Sequence, residues 1–259
     1  MPRSLAALLV VLSLMACQND GEPPVEEAPP DTAATASDAA GHDEVLEIPS
    51  RNAELARDAG SKPQQVMDYL GIDRGDRVAD IFAGGGYYTY LISERVGSTG
   101  MVWAQGYSPG LAARADSGDL ADATNVTLVD SLSALPEATL DAAIIIRGYH
   151  IYPDAAELLG ELARALKPGG TVGVEEVRLG QEYGHDMETH RMGEKTVIEE
   201  FEKHGFDYVG SSDILYNPDD PHTDFMEGRR HLSDRMLLKF SKPGEPASDA
   251  PSTAARSSI

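Results

Sequence analysis

An apolar run that ends in three consecutive glycines and then turns helical constrains this chain more than any other feature. Arg77-Val78-Ala79-Asp80-Ile81-Phe82 reads as a strand and Ala83-Gly84-Gly85-Gly86 as a tight turn. Tyr87 to Val96 follows as a helix, with Leu91, Ile92 and Val96 on its buried face. A strand–glycine–helix junction lets a ligand approach bare backbone, and the helix start supplies amide N–H groups with no partner inside the helix. In doubly wound α/β sheets, nucleotide-like molecules bind at such junctions.

The surrounding sequence keeps the same rhythm. Asn52 to Leu70 reads as helical, interrupted at Gly60 and Pro63, and Gly71 to Asp76 as the turn into the first strand. Met101–Gln105, Val126–Val129, Asp141–Ile146 and Thr171–Val174 read as further strands, with a short helix at Leu111–Ala115. Ala142 to Ile146 is continuously apolar, as a parallel strand buried on both faces requires. Asp154 is placed to cap a helix, with Glu157 three residues on. In that helix Ala155, Leu158, Leu159, Leu162, Ala165 and Leu166 recur at helical spacing, and Pro168-Gly169-Gly170 stops it. Val197–His204 is a last helix, and Phe206–Val209 and Arg235–Phe240 are two final strands. Alternating strands and helices imply a mainly parallel sheet with right-handed crossovers.

The ends belong to something other than this domain. Arg3, the apolar run Leu5–Leu14 and Ala16-Cys17 suit a secretory signal, and the run is too short for a permanent membrane span. Ala16-Cys17 resembles the lipobox of bacterial lipoproteins, which implies a signal peptide over 1–16 and lipidation of Cys17, the chain's only cysteine. The expected location is therefore the bacterial cell envelope, with a lipid anchor, on the periplasmic face if the cell is Gram-negative. Residues 17–50 contain nine acids and no Lys or Arg, and read as a disordered tether. Residues 243–259 read as a similar tail, which leaves 51–242 as the folded domain. The formal net charge of −22 without a basic cluster makes nucleic acid a poor partner.

Two ligand classes compete for the glycine turn. A dinucleotide fingerprint needs a third glycine where Thr89 stands and an acid after the second strand, where Gln105 and Gly106 stand. The wider pattern instead resembles class I S-adenosylmethionine-dependent methyltransferases. Asp80 to Gly86 is similar to their first motif, Val102 to Pro109 to their second strand and turn, and Leu162 to Gly170 to the segment before strand five. Further pieces resemble a family of exported bacterial proteins classed as predicted methyltransferases. These are Ala56-Arg57-Asp58, Lys62-Pro63, Gly148-Tyr149-His150, Thr189-His190-Arg191, Asn217 to His222 and Asp234-Arg235.

The resemblance implies a Rossmann-like, doubly wound α/β domain with a mainly parallel seven-stranded sheet and an antiparallel last strand. It implies S-adenosyl-L-methionine as cofactor, held by Asp80, Ala83, Gly84, Gly85, Gly86, Tyr87, Gln105 and Asp130, with Asp80 serving either the cofactor or the loop's own amides. Two departures bear on affinity: Phe82 replaces the usual first glycine, and Gly106 stands where the ribose-binding acid is usual. Tyr149 and His150, after strand four, are the candidate acceptor-facing residues, with His150 able to serve as a general base. Glu176, just past strand five, and His190, from a later insertion, are placed to join them, as are Arg191 and His222. His185 and His190 lie five apart, off any common helical face, so no metal is expected. No G-x-S-x-G elbow is present for hydrolysis. The expectation is methyl transfer to a small or envelope-associated acceptor, against the alternative of a binding protein that keeps the fold without turnover.

Overall fold

The computed structural model describes residues 48–152, 154–225 and 230–244. The signal segment, Cys17, all but the last few tether residues and nearly all of the C-terminal tail lie outside the described residues.

After a series of short helical turns from Arg51 to Ser61, the elements are α1 (Pro63–Leu70), β1 (Arg77–Gly84), α2 (Tyr87–Val96), β2 (Met101–Tyr107), α3 (Pro109–Ser117) and β3 (Val126–Val129). The second half contains β4 (Leu140–Ile146), α4 (Ala155–Ala165), β5 (Leu166–Val177), α5 (Glu194–Lys203), β6 (Asp207–Ser212) and β7 (Arg235–Ser241). The strands form one seven-stranded sheet in the order β3-β2-β1-β4-β5-β7-β6. β1 to β5 pair in parallel, whereas β7 is inserted antiparallel between β5 and β6. A separate two-stranded ribbon pairs His185–Asp186 with Arg191–Met192. Among the described residues, no helix is long and apolar enough to cross a membrane.

The apolar strands explain the layering. Alternate residues point to opposite faces, so a strand apolar at every position must be covered on both. Ala79, Ile81, Ala143, Ile145, Val172 and Val174 pack beneath Leu158, Leu159 and Leu162 of α4 and Val197 and Phe201 of α5. Val78, Val102, Ala142, Ile144 and Leu237 pack on the other face under α1 and α2. Each fully buried leucine of α4 contributes roughly 1.5–3 kcal/mol. The Asp154 carboxylate accepts the Glu157 amide at 3.1 Å, as the capping pattern predicts.

Boundaries differ from the sequence reading in instructive places. α4 ends at Ala165, and Leu166 instead opens β5, where it pairs with Leu140 across a bulge. β5 runs to Val177 rather than Val174, so Glu176 lies within the strand and not beyond it. Two adjacent glutamates look like a strand end, yet both are buried because each meets donors from neighbouring elements. α3 spans Pro109–Ser117 and α5 starts at Glu194, each longer than its apolar residues alone indicate.

Candidate active site

Parallel pairing sends β1, β4 and β5 out at one edge of the sheet, where Phe82–Gly86, Arg147–His150 and Glu175–Val177 come together. The β1–α2 turn is held from below. Gly86 donates to the Ala83 carbonyl at 2.9 Å, Ser108 donates to the Gly84 carbonyl at 2.9 Å, and Tyr90 to the Gly86 carbonyl at 3.0 Å. Fully buried Arg114 donates to the Gly86 carbonyl at 3.2 Å, while also pairing with Glu54 at 3.1 Å and Asp119 at 2.5 Å. Burial pushes the Glu54 carboxyl up despite that arginine. The carbonyls of the turn are thus engaged by protein donors. Gly84 has φ 53°, and a β-carbon built on it meets nothing nearer than the Phe82 carbonyl at 3.8 Å, so its face is open. Gly86 differs: at φ 82° its β-carbon would strike Leu111 at 2.4 Å, and glycine is required for packing.

Asp80 is buried and accepts the Thr89 hydroxyl at 2.6 Å and the Thr89 amide, fastening the first turn of α2 to β1. Burial, opposed by these two hydrogen bonds, raises its pKa to about 7. Tyr87 is also buried; its hydroxyl donates to Asp58 at 2.7 Å and its ring lies 4.0 Å beneath the Arg57 guanidinium. It ties the N-terminal turns to α2. Gln105 lies in β2 opposite Ile81 and Val129, two residues before the strand ends at Tyr107, with Oε1 buried and without a protein partner. Asp130 is exposed after β3 and accepts the Tyr107 hydroxyl at 2.7 Å.

Phe82 keeps a glycine-like backbone at φ 59°. Its ring leaves no room for a side chain on Gly148, where a β-carbon would lie 2.5 Å away, and Phe82 crowds one on Gly106 (φ 66°), where a β-carbon would lie 3.2 Å from its Cα and 3.3 Å from its ring. It packs on Tyr152 at 5.4 Å between centroids. Gly106 is therefore the residue that fits against Phe82, and the two departures from the usual motif are one packing solution.

Across the edge, three of the candidate side chains meet, and the backbone of a fourth, Tyr149, joins them. Glu176, fully buried, accepts the amides of Tyr149 (2.7 Å) and His150 (3.2 Å) and the His150 Nδ1–H (2.9 Å). His150 Nε2 lies 2.9 Å from His190 Nδ1. An ionised carboxylate only accepts, so Nδ1 of His150 carries the proton shared with Glu176, and Nε2 faces His190. His190 has φ 55° and packs 4.6 Å from the Phe225 ring. His185 stands 6.3 Å from His150, its pKa lowered by burial and then by His150. The Tyr149 hydroxyl is committed to Glu200 at 2.6 Å, and burial with that carboxylate pushes its pKa well up.

Arg191 and His222 belong elsewhere. Arg191 is fully buried and bidentate to Asp220 at 3.0 Å, and His222 pairs with Asp234 at 2.9 Å. They fasten the 217–225 loop. Sequence reading also missed the roles of Arg114 beneath the β1–α2 turn, of Arg57 over the Tyr87 ring, and of Glu175 between Arg147 and Arg235. Arg57 and Arg235 lay in the quoted fragments Ala56-Arg57-Asp58 and Asp234-Arg235, whose purpose only the tertiary structure reveals.

Residues 79–174 match a family model described as a methyltransferase domain. The demethylmenaquinone methyltransferase of Shouchella clausii (strain KSM-K16) is 32% identical over 113 residues, which are 42% of this chain and 48% of that protein. The chain thus spans just under half the length of this curated relative. Among solved structures, an S-adenosylmethionine-dependent methyltransferase from Aquifex aeolicus superposes with a TM-score of 0.58 at 18% identity, covering 72% of this chain and 93% of its own. Geranyl diphosphate C-methyltransferase from Streptomyces coelicolor A3(2), solved with Mg2+, geranyl diphosphate and S-adenosyl-L-homocysteine, gives 0.56 at 17%, covering 74% and 83%. These likenesses establish the class I methyltransferase fold.

Proposed function

We propose that this chain, which carries a class I S-adenosylmethionine-dependent methyltransferase domain, transfers a methyl group to a small or envelope-associated acceptor. The observation that carries the reading is the β1–α2 turn at the switch point of the sheet: its carbonyls are taken from below, and its Gly84 face is open. The residues present fit an adenosyl ligand. Backbone at Gly84–Gly86 would receive the amino-acid part, and the buried, unpartnered Gln105 Oε1 is an acceptor suited to a ribose hydroxyl. Tyr107 at the end of β2 and Asp130 just after β3 stand together as the polar pair for the adenine side. Asp80 and Tyr87 act one step back, by fixing the turn.

When bound, S-adenosylmethionine supplies an activated methyl group. The protein's own work is to align an acceptor and to receive its proton if the nucleophile arrives protonated. The His150–His190 pair takes up that proton, and Glu176 stabilises the resulting imidazolium. The Tyr149 ring holds the segment in place through Glu200.

We read the N-terminal sequence as a lipid anchor at Cys17 that places this domain on the bacterial envelope, supported by the apolar run and Ala16-Cys17. A second reading, a binding protein without turnover, draws on Phe82, whose ring lies over the strand ends where the family motif has glycine. A labelled-methyl transfer screen against cell-envelope extracts separates the two. Incorporation of label that depends on His150 supports transfer; ligand binding without incorporation supports the second reading.

A further inference from the structure

We propose that Arg57, Arg147, Arg235 and His231 form a built anion site beside the catalytic edge, which holds a carboxylate or phosphate group of the methyl acceptor. The inference rests on the methyltransferase reading only in naming the acceptor as occupant; anion binding itself does not depend on it.

These residues come from distant parts of the chain to one place. Glu175, buried in β5, pairs with Arg235 at 2.8 Å and lies 3.6 Å from Arg147. Arg235 also donates to the carbonyls of Gly60 (2.6 Å) and His231 (2.8 Å). His231 packs so closely on Gly60 that a β-carbon there would lie 2.9 Å from its ring. Arg57 stands three residues earlier, over the Tyr87 ring, and Tyr87 packs edge-on to Tyr88 at 5.2 Å.

Charge does not close within this group. Arg147 and Arg235 share Glu175, and among the described residues Arg57 has no hydrogen-bonded carboxylate: Glu54 and Asp58 act on it through space, but their hydrogen bonds go to Arg114, and to Arg51 and the Tyr87 hydroxyl. That excess sits in a chain of net charge −22, so it is not a general property of the surface. Burying unpaired cations is costly unless an anion joins them. Burial, and then the neighbouring Arg147, hold the Arg57 pKa below its ordinary value, and burial with Arg147, Arg235 and Arg57 does the same to His231.

Two buried polar atoms without partners mark the same place. The Tyr88 hydroxyl and Glu175 Oε2 are both buried and make no hydrogen bond, although Tyr88 lies in the electrostatic field of Glu175, Arg235 and Arg147. The Tyr88 hydroxyl is a donor within the field of the cations, and a protonated or hydroxyl-bearing ligand would satisfy Glu175 Oε2. Arg147 reaches the site from a left-handed backbone (φ 53°) directly after β4, a conformation uncommon for a residue with a side chain. Its neighbours Gly148, Tyr149 and His150 lead to the histidine pair, so an acceptor anchored here by its charged end points its other end along the catalytic edge. His231 and Arg235 also line a cleft of about 410 Å³ with Gly60, Lys62 and Asp219, which opens their side of the group to solvent.

The test is calorimetric titration of the full chain at low ionic strength with inorganic phosphate, pyrophosphate and, separately, S-adenosylhomocysteine. Pyrophosphate is expected to bind, and Arg147→Gln and Arg57→Gln each to weaken it about tenfold, the worth of one charge-assisted hydrogen bond. Arg147→Lys, which keeps the charge, restores most of the loss, and circular dichroism verifies the fold of each variant. S-adenosylhomocysteine affinity is expected to be unchanged in Arg147→Gln. Equal phosphate and pyrophosphate binding in wild type and both Gln variants, or none in any, overturns the site. A matching loss of S-adenosylhomocysteine affinity in Arg147→Gln assigns the arginines to the donor's carboxylate and overturns the acceptor assignment. Absence of S-adenosylhomocysteine binding with arginine-dependent pyrophosphate binding removes the methyltransferase reading and leaves the anion site standing.

Discussion

The two halves of the sheet edge solve opposite problems. On the β1–β2 side the working surface is backbone: glycines, a clamped turn, and side chains such as Arg114 and Asp80 that act from beneath. On the β4–β5 side the working surface is side chains: two histidines, two buried glutamates and three arginines, with left-handed backbone at Arg147 and His190 and unpartnered atoms at Tyr88 and Glu175. A backbone site recognises a ligand whose shape is fixed, and it tolerates few changes at the glycines. A side-chain site is where specificity is written. Under the proposed function, the first half takes the constant partner of the reaction and the second half the variable one.

The largest effect is expected from the clamp. Arg114→Met leaves the buried Glu54 carboxylate without its hydrogen-bonded cation and releases Asp119, and should cost about 3–5 kcal/mol of stability. Denaturant unfolding measures it, and a loss under ~1 kcal/mol means the turn is not held from below. Gly84→Val comes next. The fold should survive, since its β-carbon has room, but S-adenosylhomocysteine affinity should fall by at least ~100-fold as the side chain closes the approach and strains φ. Unchanged affinity would move the donor site elsewhere. Glu176→Gln should reduce the transfer rate about 100-fold at neutral pH, the lower range for general-base assistance, with S-adenosylhomocysteine affinity preserved. A parallel loss of both parameters breaks the division between the two halves.

The smallest effect is a slope. The Asp80 carboxyl titrates near pH 7 in the folded protein against 3.8 when unburied, because burial disfavours its charged form. Between those values the folded chain keeps a proton that the unfolded chain has lost, so stability declines as pH rises through the window and levels off above it. Asp80→Asn removes this component, and its melting temperature should fall less steeply than wild type between about pH 4 and 7. Identical slopes place the titrating group elsewhere.

Legibility in the sequence followed the range of the interactions. The glycine turn, the two-faced strands and the Asp154-capped helix are local patterns, and the residues that write them are contiguous. Tyr149, His150, Glu176 and His190 were within reach as single candidates, because strand ends in an alternating chain predict which residues share an edge. Their hydrogen-bonded order was not, since it depends on β5 continuing through Glu175 and Glu176, a stretch whose charges conceal the strand. Arg57, Arg147 and Arg235 carry no common periodicity and meet only through tertiary pairing. The role of Gly106 was hidden for the same reason: it looks like a missing acid until the Phe82 ring is seen against it.

Isothermal titration of the full chain with S-adenosylmethionine and S-adenosylhomocysteine tests the central claim most directly. The account requires one-to-one binding of both at the backbone turn, abolished in Gly84→Val and retained in Glu176→Gln. Heat-silent titrations of the folded wild-type chain with both ligands at millimolar concentration would contradict it.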